Sequence, residues 1–437
     1  MERRQHAVVI GGGIAGLAVA GALAGRFRRV TVVERDASAD GAAFRAGVPQ
    51  SRHLHSLMGA GQRALDDLLP GFTDGLYAAG AVPLRTPYDH LWLSPAGWCH
   101  RFPPSHTVPS ASRELVEWVL RRRVSGLPDM VVRDRLEVTG LVADDERVTG
   151  VRVARRDGSG AEEVTADLVV DASGRRSHAA RWLAALGHGE TGTTLVDSRA
   201  GYASRCYAVP EGFADEWRVI SIQPGPGQPT RGGALVQVEG GRWLVSLYGY
   251  LGDHPPTDED GFLAFAASLR HPVLHDVVRD AEPLGPVHGF RHMANERRHF
   301  EDLPRWPQGL LVVGDAACAL NPVYAQGMSV AAMTARRLRA LLDEGVDDCA
   351  ALQKETAAGN DRAWRIAVGA DLAYLGEAPV DERARREAGR MGRLLELAMV
   401  DAEVNRVFFD VMMMLAEPDA LATPALAARL AQGPARP

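Results

Sequence analysis

The chain has 437 residues, 46% of them hydrophobic and 24% charged, with a formal net charge of −6. At roughly 100–200 residues per domain this allows two or three domains with a sizeable core, and the charge balance gives no general pull toward nucleic acid or an anionic membrane. The four cysteines, Cys99, Cys206, Cys318 and Cys349, form no CxxC and stand at no metal-ligand spacing with histidine, so neither a disulfide framework nor a metal site is expected.

Met1-Glu2-Arg3-Arg4 leads straight into an apolar run without the pattern of a signal peptide. No run reaches the roughly 20 apolar residues that span a bilayer, and the expectation is a soluble, cytoplasmic chain with no integral membrane segment. Residues 6–10 read as a buried parallel strand, 17–24 as a helix and 30–33 as a second buried strand. From 83 to 109, prolines, tryptophans and Gly97 break the chain into short extended pieces. Ser112-Arg113 opens a helix through residue 123. Residues 131–170 alternate like antiparallel strands, with turns at Asp144-Asp145 and Asp157-Gly158. The runs 234–238 and 243–248 flank Gly240-Gly241, a hairpin signal. A capped helix follows at 258–269, a buried strand at 310–313 and a helix at 328–342; residues 343–437 read as mostly helical.

Gly11, Gly13 and Gly16 fall between the first strand and the first helix. Glycines at this spacing allow a tight turn and let a pyrophosphate approach the backbone, where the unpaired N–H groups of Ile14 and Ala15 and the positive helix end meet it. Glu34 lies 23 residues after Gly11, followed by Arg35, at the end of the second strand; a carboxylate there accepts hydrogen bonds from ribose hydroxyls. This fingerprint serves NAD and FAD alike. A second motif points to FAD: a strand ends in Gly314-Asp315, and Asn321-Pro322-Val323-Tyr324-Ala325-Gln326-Gly327 leads into the helix at Met328. An aspartate at 315 suits the ribityl hydroxyls. The N–H groups around Gln326, Gly327 and Met328 suit the flavin pyrimidine edge, where reduction develops negative charge.

With both motifs present, the sequence resembles the flavoprotein monooxygenases of the para-hydroxybenzoate hydroxylase fold. That family carries a third signature, a strand ending in Asp-Gly with a downstream Ser and Arg. Here it reads Asp171-Ala172-Ser173-Gly174-Arg175-Arg176-Ser177 and then Arg181, with extra residues before the glycine. Gly47-Val48-Pro49-Gln50-Ser51-Arg52-His53-Leu54-His55 and the stretch Asn321 to Ser329 are similar to bacterial flavin epoxidases of polyether biosynthesis, and more loosely to squalene epoxidase. Ala325 stands where those epoxidases usually have glycine. The expected fold is α/β: a Rossmann-like FAD-binding domain (1–80, 113–185 and 306–342) interleaved with an antiparallel-sheet substrate domain (81–112 and 186–305), plus a C-terminal helical region (343–437).

The resemblance implies FAD, reduced by NAD(P)H or by a partner flavin reductase, and dioxygen. It implies oxygen transfer from a C4a-peroxyflavin, by epoxidation or hydroxylation, to a small apolar substrate such as a polyketide or terpenoid. A flavin dehydrogenase or reductase that moves hydride without oxygen is the alternative. A halogenase is disfavoured, because the single lysine, Lys354, lies beyond the last flavin motif and no Trp-x-Trp-x-Ile occurs.

Single residues carry two readings each. By family resemblance Arg45 approaches the flavin or its ribityl chain; otherwise it is a surface arginine in a loop. Arg113 suits the FAD pyrophosphate. Asp171 and Gly174 belong to the third signature. His53 and His55 would share one face of a strand, as structural hydrogen-bonders near the flavin or as proton handlers. Pro322 is a rigid wall beside the flavin or a plain turn. Trp92, Trp98, Phe102, Tyr202, Tyr207, Trp243 and Tyr248 read as core with some pocket lining, and 411–415 as a packed helix face or an entrance lip.

Overall fold

The computed structural model describes residues 4–144, 146–225, 227–377 and 381–432. The Met1–Arg3 lead-in and Asp145 of the expected turn lie outside the described residues. Five parallel strands form one sheet in the order Leu310–Val312, Leu168–Asp171, Arg4–Ile10, Phe27–Val33, Met130–Arg133. The central strand is covered on both faces, so Ala7, Val8 and Val9 have no exposure and the sequence there is a continuous apolar run. Met130–Arg133 departs from expectation. It belongs to this sheet, parallel to Phe27–Val33, and not to an antiparallel block; a short apolar run carries no record of its partner. The rest of that block forms an antiparallel sheet of Glu137–Asp144, Arg147–Ala154 and Glu162–Thr165.

The first helix, Ile14–Leu23, starts three residues earlier than expected, directly after Gly13. It is apolar all round because it is buried all round. Arg113–Ser125, capped by the Ser112 hydroxyl accepting from Leu115 N–H, and Gly327–Asp343 pack with it over the parallel sheet in one buried cluster.

A second sheet has seven strands in the order His288–Phe290, Gly201–Ala208, Arg242–Gly249, Arg231–Val238, Val219–Ile222, His90–Ser94, Gly97–Trp98. Its neighbours are antiparallel as expected, except that Val219–Ile222 runs parallel to His90–Ser94. Gly240 and Gly241 turn the expected hairpin at φ +71° and +64°, backbone that disfavours a side chain. The outer face buries Tyr207, Trp243, Val245 and Leu247 against helices Glu259–Ala267 and Val273–Val278. By the two-residue alternation of strands, Tyr202, Ser204, Cys206, Leu244, Ser246 and Tyr248 occupy the other face.

The C-terminal residues are helical: Cys349–Ala358, Asp361–Leu375, Glu382–Val400, Ala402–Met412 and Pro424–Gln432. The expected helical region extends over 378–380 and 433–437, which lie outside the described residues. Met413 joins the buried cluster of Leu84 and Val108, and Leu415 seats against Gly59, so most of 411–415 is packed, with Met412 left exposed. No described helix is long and apolar enough to cross a membrane. Leu394, Leu397, Val404 and Phe409 close over Trp92 and Cys99 at the end of the seven-stranded sheet. Trp92 meets Phe408 at a centroid distance of 6.1 Å and the edge of Phe409 at 5.7 Å. Trp92→Ala should therefore cost about 3–5 kcal/mol by opening a cavity, read by denaturant unfolding. Limited proteolysis should then cut first within the C-terminal helices.

Candidate functional site

The glycine turn is built by collision. A Cβ on Gly16 would lie 1.9 Å from the Gly11 carbonyl oxygen, and Gly11 itself sits at φ +99°. No side chain caps the helix that follows, which leaves its first amides free. Where a Gly13 Cβ would stand, the neighbour within 4.0 Å is Arg113 Nη2.

Arg113 is held by Glu117, one helical turn on, through a 2.7 Å bond. Glu117 also receives Arg45 Nε at 2.6 Å and an Nη of Arg121. Burial pushes this carboxyl up, but the three arginines overcome it and the net shift is downward. Arg45 therefore is not a surface arginine. It is buried between Glu117 and Glu34, whose Oε2 lies 3.1 Å from Nη1. Glu34 in turn accepts from Gly12 N–H at 2.8 Å and Asp36 N–H at 2.9 Å. A carboxylate offers about four lone-pair sites, so roughly one remains for a ribose hydroxyl. Arg35 donates to the Gly47 carbonyl at 3.2 Å and braces the following loop.

The second cradle lies across from the first. Gly314 sits at φ +60°, pressed to Ala15. Asp315 follows in a recess, its side chain 39% exposed, with Arg175 at 4.0 Å. Withdrawal from water raises its pKa, against the pull of Arg175, Arg113 and Arg298. Helix Gly327–Asp343 begins without a side-chain cap, and open space lies beyond the Gly327 Cβ position. Gln326 Oε1 is buried with no hydrogen-bond partner among the described residues, and Met328 is buried. Met58 N–H donates to Ser329 Oγ at 2.9 Å, seating the segment after His55 against this helix start. Free amides at both helix ends, an orphaned acceptor and an accessible carboxylate fit an FAD stretched from Gly13 to Gly327.

The histidine segment is not a strand. Pro49–Arg52 is a 3-10 turn and His53 follows it as the cap; Pro49 and its turn-forming neighbours outweigh alternation there. His53 Nδ1 bonds Ser204 Oγ at 2.7 Å, Ser204 bonds Ser246 at 2.5 Å, and Leu54 N–H donates to Ser246 at 3.0 Å. Tyr202 and Phe290 flank the His53 ring. His55 Nδ1 bonds the His53 carbonyl at 2.9 Å. Burial, with His55, His288 and Arg52 nearby, brings His53 down to about 3; burial and the Arg113 charge bring His55 down to about 4. Both rings are neutral at ordinary pH.

Pro322 opens the turn Pro322–Tyr324, capped by Asn321 Oδ1 accepting from Val323 N–H. Ala325 takes φ +54°, where a glycine would be unstrained. Asp171 is fully buried and occupied within its own turn, accepting from Ser173 N–H at 2.8 Å and Ser177 Oγ at 2.6 Å. Gly174, at φ +80° with open space beside it, is the accessible member of the third signature. A cavity of about 260 Å³ reaches Ser204 along the sheet face, walled by Phe44, Val238, Leu244 and Leu284 and by Arg52, Arg205 and Arg242. None of the seven aromatics expected as core with some pocket lining is among its lining residues. Sequence reasoning missed Glu117, Ser204, Ser246, Asn295 and Asp371; only Glu117 carried a signal, its four-residue spacing from Arg113 on a helix.

The family model described as FAD binding domain matches residues 4–366. Protein Rv3254 of Mycobacterium tuberculosis is 32% identical over 386 residues, 85% of this chain and 81% of that protein. Kynurenine 3-monooxygenase of Salinispora tropica is 29% identical over 398 residues, 84% and 76% of the two chains. The solved structure of p-nitrophenol 4-monooxygenase from Pseudomonas putida shares the fold, with TM-score 0.65 and 19% identity over 95% of this chain and 100% of that one.

Two substitutions test the cradle. Glu117→Gln takes the carboxylate from buried Arg113 and part-buried Arg121, while Arg45 keeps Glu34 and Asp36; losing one partner of a buried ion pair costs about 3–5 kcal/mol, which thermal and denaturant unfolding should register. Asp315→Asn should separate stability from binding. The folded pKa of Asp315 lies above that of the unfolded chain, so its ionised form opposes folding at neutral pH, and this cost fades as pH falls through the raised pKa. The variant apoprotein should melt higher than the parent while binding FAD more weakly. A lower melting temperature with unchanged FAD affinity would make Asp315 a structural cap.

Proposed function

The chain belongs to the FAD binding domain family, and from that premise we propose that it is an FAD-dependent monooxygenase that inserts one oxygen atom of dioxygen into an uncharged alkene or arene of a small organic substrate. Electrons come from NAD(P)H or a partner flavin reductase, and the protein works in the cytoplasm. The bound flavin supplies the oxygen activation. The chain's own groups bind, orient and exclude water.

One observation carries this reading. His53 is buried with Nδ1 on Ser204 Oγ, His55 Nδ1 is tied to the His53 carbonyl, and burial there brings the two rings down to about 3 and about 4, so both are neutral. A phenol hydroxylase gains from a base tuned near the working pH, and neither ring is such a base. Epoxidation, or hydroxylation of a ring that needs no deprotonation, asks only that the reacting carbon be held close in a dry place. The rings of Tyr202 and Phe290 supply apolar surface beside His53. The charged wall of the 260 Å³ cavity supports a substrate that is apolar at the reacting carbon and polar elsewhere. Fold alone does not separate oxygen transfer from halogenation or hydride transfer. Lys354, exposed on the helix Cys349–Ala358 beside the parallel sheet, is poorly placed for halogenation.

Turnover under labelled dioxygen should place the label in the product, and kcat should show no ionisation near pH 6.5, the ordinary histidine value. Oxygen from water, or no gain of oxygen, moves the enzyme to the dehydrogenases; a histidine ionisation that carries the rate restores a base-assisted hydroxylase.

A further inference from the structure

Asp371 belongs to none of the sequence motifs. It lies on helix Asp361–Leu375 with no exposure, and the hydrogen-bond donors to its carboxylate are neutral. Tyr324 hydroxyl donates at 2.7 Å, Asn295 Nδ2 at 2.8 Å, and Asn321 Nδ2 at 3.0 and 3.1 Å, with the Ser198 hydroxyl also bonded. Burial and the nearby Asp197 charge raise its pKa, Asn321, Tyr324 and Ser198 pull against them, and the net shift is upward. A carboxylate buried against neutral donors is a costly way to join a helix to a loop. An amide or an apolar side chain would join them at less cost.

The donors identify what it holds. Asn321 and Tyr324 stand at the two ends of the turn that contains Pro322, and Asn295 Oδ1 accepts from Asn321 N–H at 2.7 Å. Asp371 thus grips the turn at both ends. The chain leaves it through Ala325 at φ +54° and enters the uncapped helix at Gly327. A second clamp comes from the same helix. Tyr374 stacks on Tyr250 at 3.8 Å and 13°, and the Tyr250 hydroxyl bonds that of Tyr324.

We propose that Asp371 is a positioning residue of the flavin site. Through Asn321 and Tyr324 it sets Pro322 and the free amides at Gly327 against the flavin ring. Its charge, behind that turn, opposes the build-up of negative charge on the ring. The inference rests on FAD binding at the two cradles described above.

The test uses the full-length holoenzyme and its deflavinated apoprotein. Asp371→Asn keeps the shape and removes the charge; Tyr324→Phe removes one donor and keeps the charge. FAD affinity is read by flavin fluorescence titration, the flavin midpoint potential by equilibration with a reference dye, and folding by apoprotein melting. We expect FAD to bind at least fivefold more weakly in both variants. The potential should become more positive in Asp371→Asn and should not become more positive in Tyr324→Phe, which keeps the charge. Parent affinity and parent potential in Asp371→Asn, whatever its melting temperature, overturn the proposal and leave Asp371 a brace of the fold. If Asp371→Asn does not fold, parent affinity in Tyr324→Phe overturns it alone. A parent protein that takes up no FAD overturns the reading beneath it, which is a separate result.

Discussion

The carboxylate of Glu117 holds together the part of the molecule on which the rest depends. Arg45, Arg113 and Arg121 converge on it in a buried space. Arg45 carries the link to Glu34, and Glu34 carries it to the Gly12 amide inside the glycine turn. Arg113 carries it the other way, to the mouth of that turn and toward Asp315 and His55. A cation at such a turn would serve a phosphate only by staying charged and staying put. A counter-ion behind it achieves both, and the cluster balances, because Arg45 also pairs with Glu34 and Asp36. Burial and the Arg113 charge keep His55 neutral.

The seven-stranded sheet contributes a different physics. Its outer face is closed by helices and aromatic packing, and its other face carries small hydroxyls between tyrosines. Ser204 and Ser246 take up the hydrogen bonds of His53 and Leu54. This satisfies polar groups that would otherwise be buried without partners. The result is a surface with few titrating groups near pH 7, suited to chemistry in which the cofactor is reactive and the protein must be inert. The charged cavity farther along the same face adds polarity away from that point.

The C-terminal helices are more than a cover. One group of them closes the sheet end around Trp92. Helix Asp361–Leu375 reaches into the turn after Cys318–Ala319 and supplies the acceptor for Asn321 and Tyr324. The strain at Ala325 and the bonds to Asp371 belong together, because an unfavourable φ persists only where its surroundings over-determine it.

The glycine spacing, the acid at residue 34, the Gly314-Asp315 strand end and the α/β class were legible in the sequence, because each is a local demand: a turn with no room for a side chain, a helix end, an apolar run. The Ser112 cap and the Gly240-Gly241 hairpin were legible for the same reason. Pairing was not. Met130–Arg133 went to the parallel sheet, His90–Ser94 paired in parallel, and the 47–55 segment became a turn, since short apolar or mixed runs do not encode their neighbours. Nor did the sequence reveal that Arg45 is buried, that Glu117 anchors three arginines, or that Asp371 meets Asn321 across 50 residues of chain. Local sequence determines what a backbone segment can do on its own; which charges are buried together, and hence which side chains are neutral, held or free, is decided only when distant segments share one low-dielectric space.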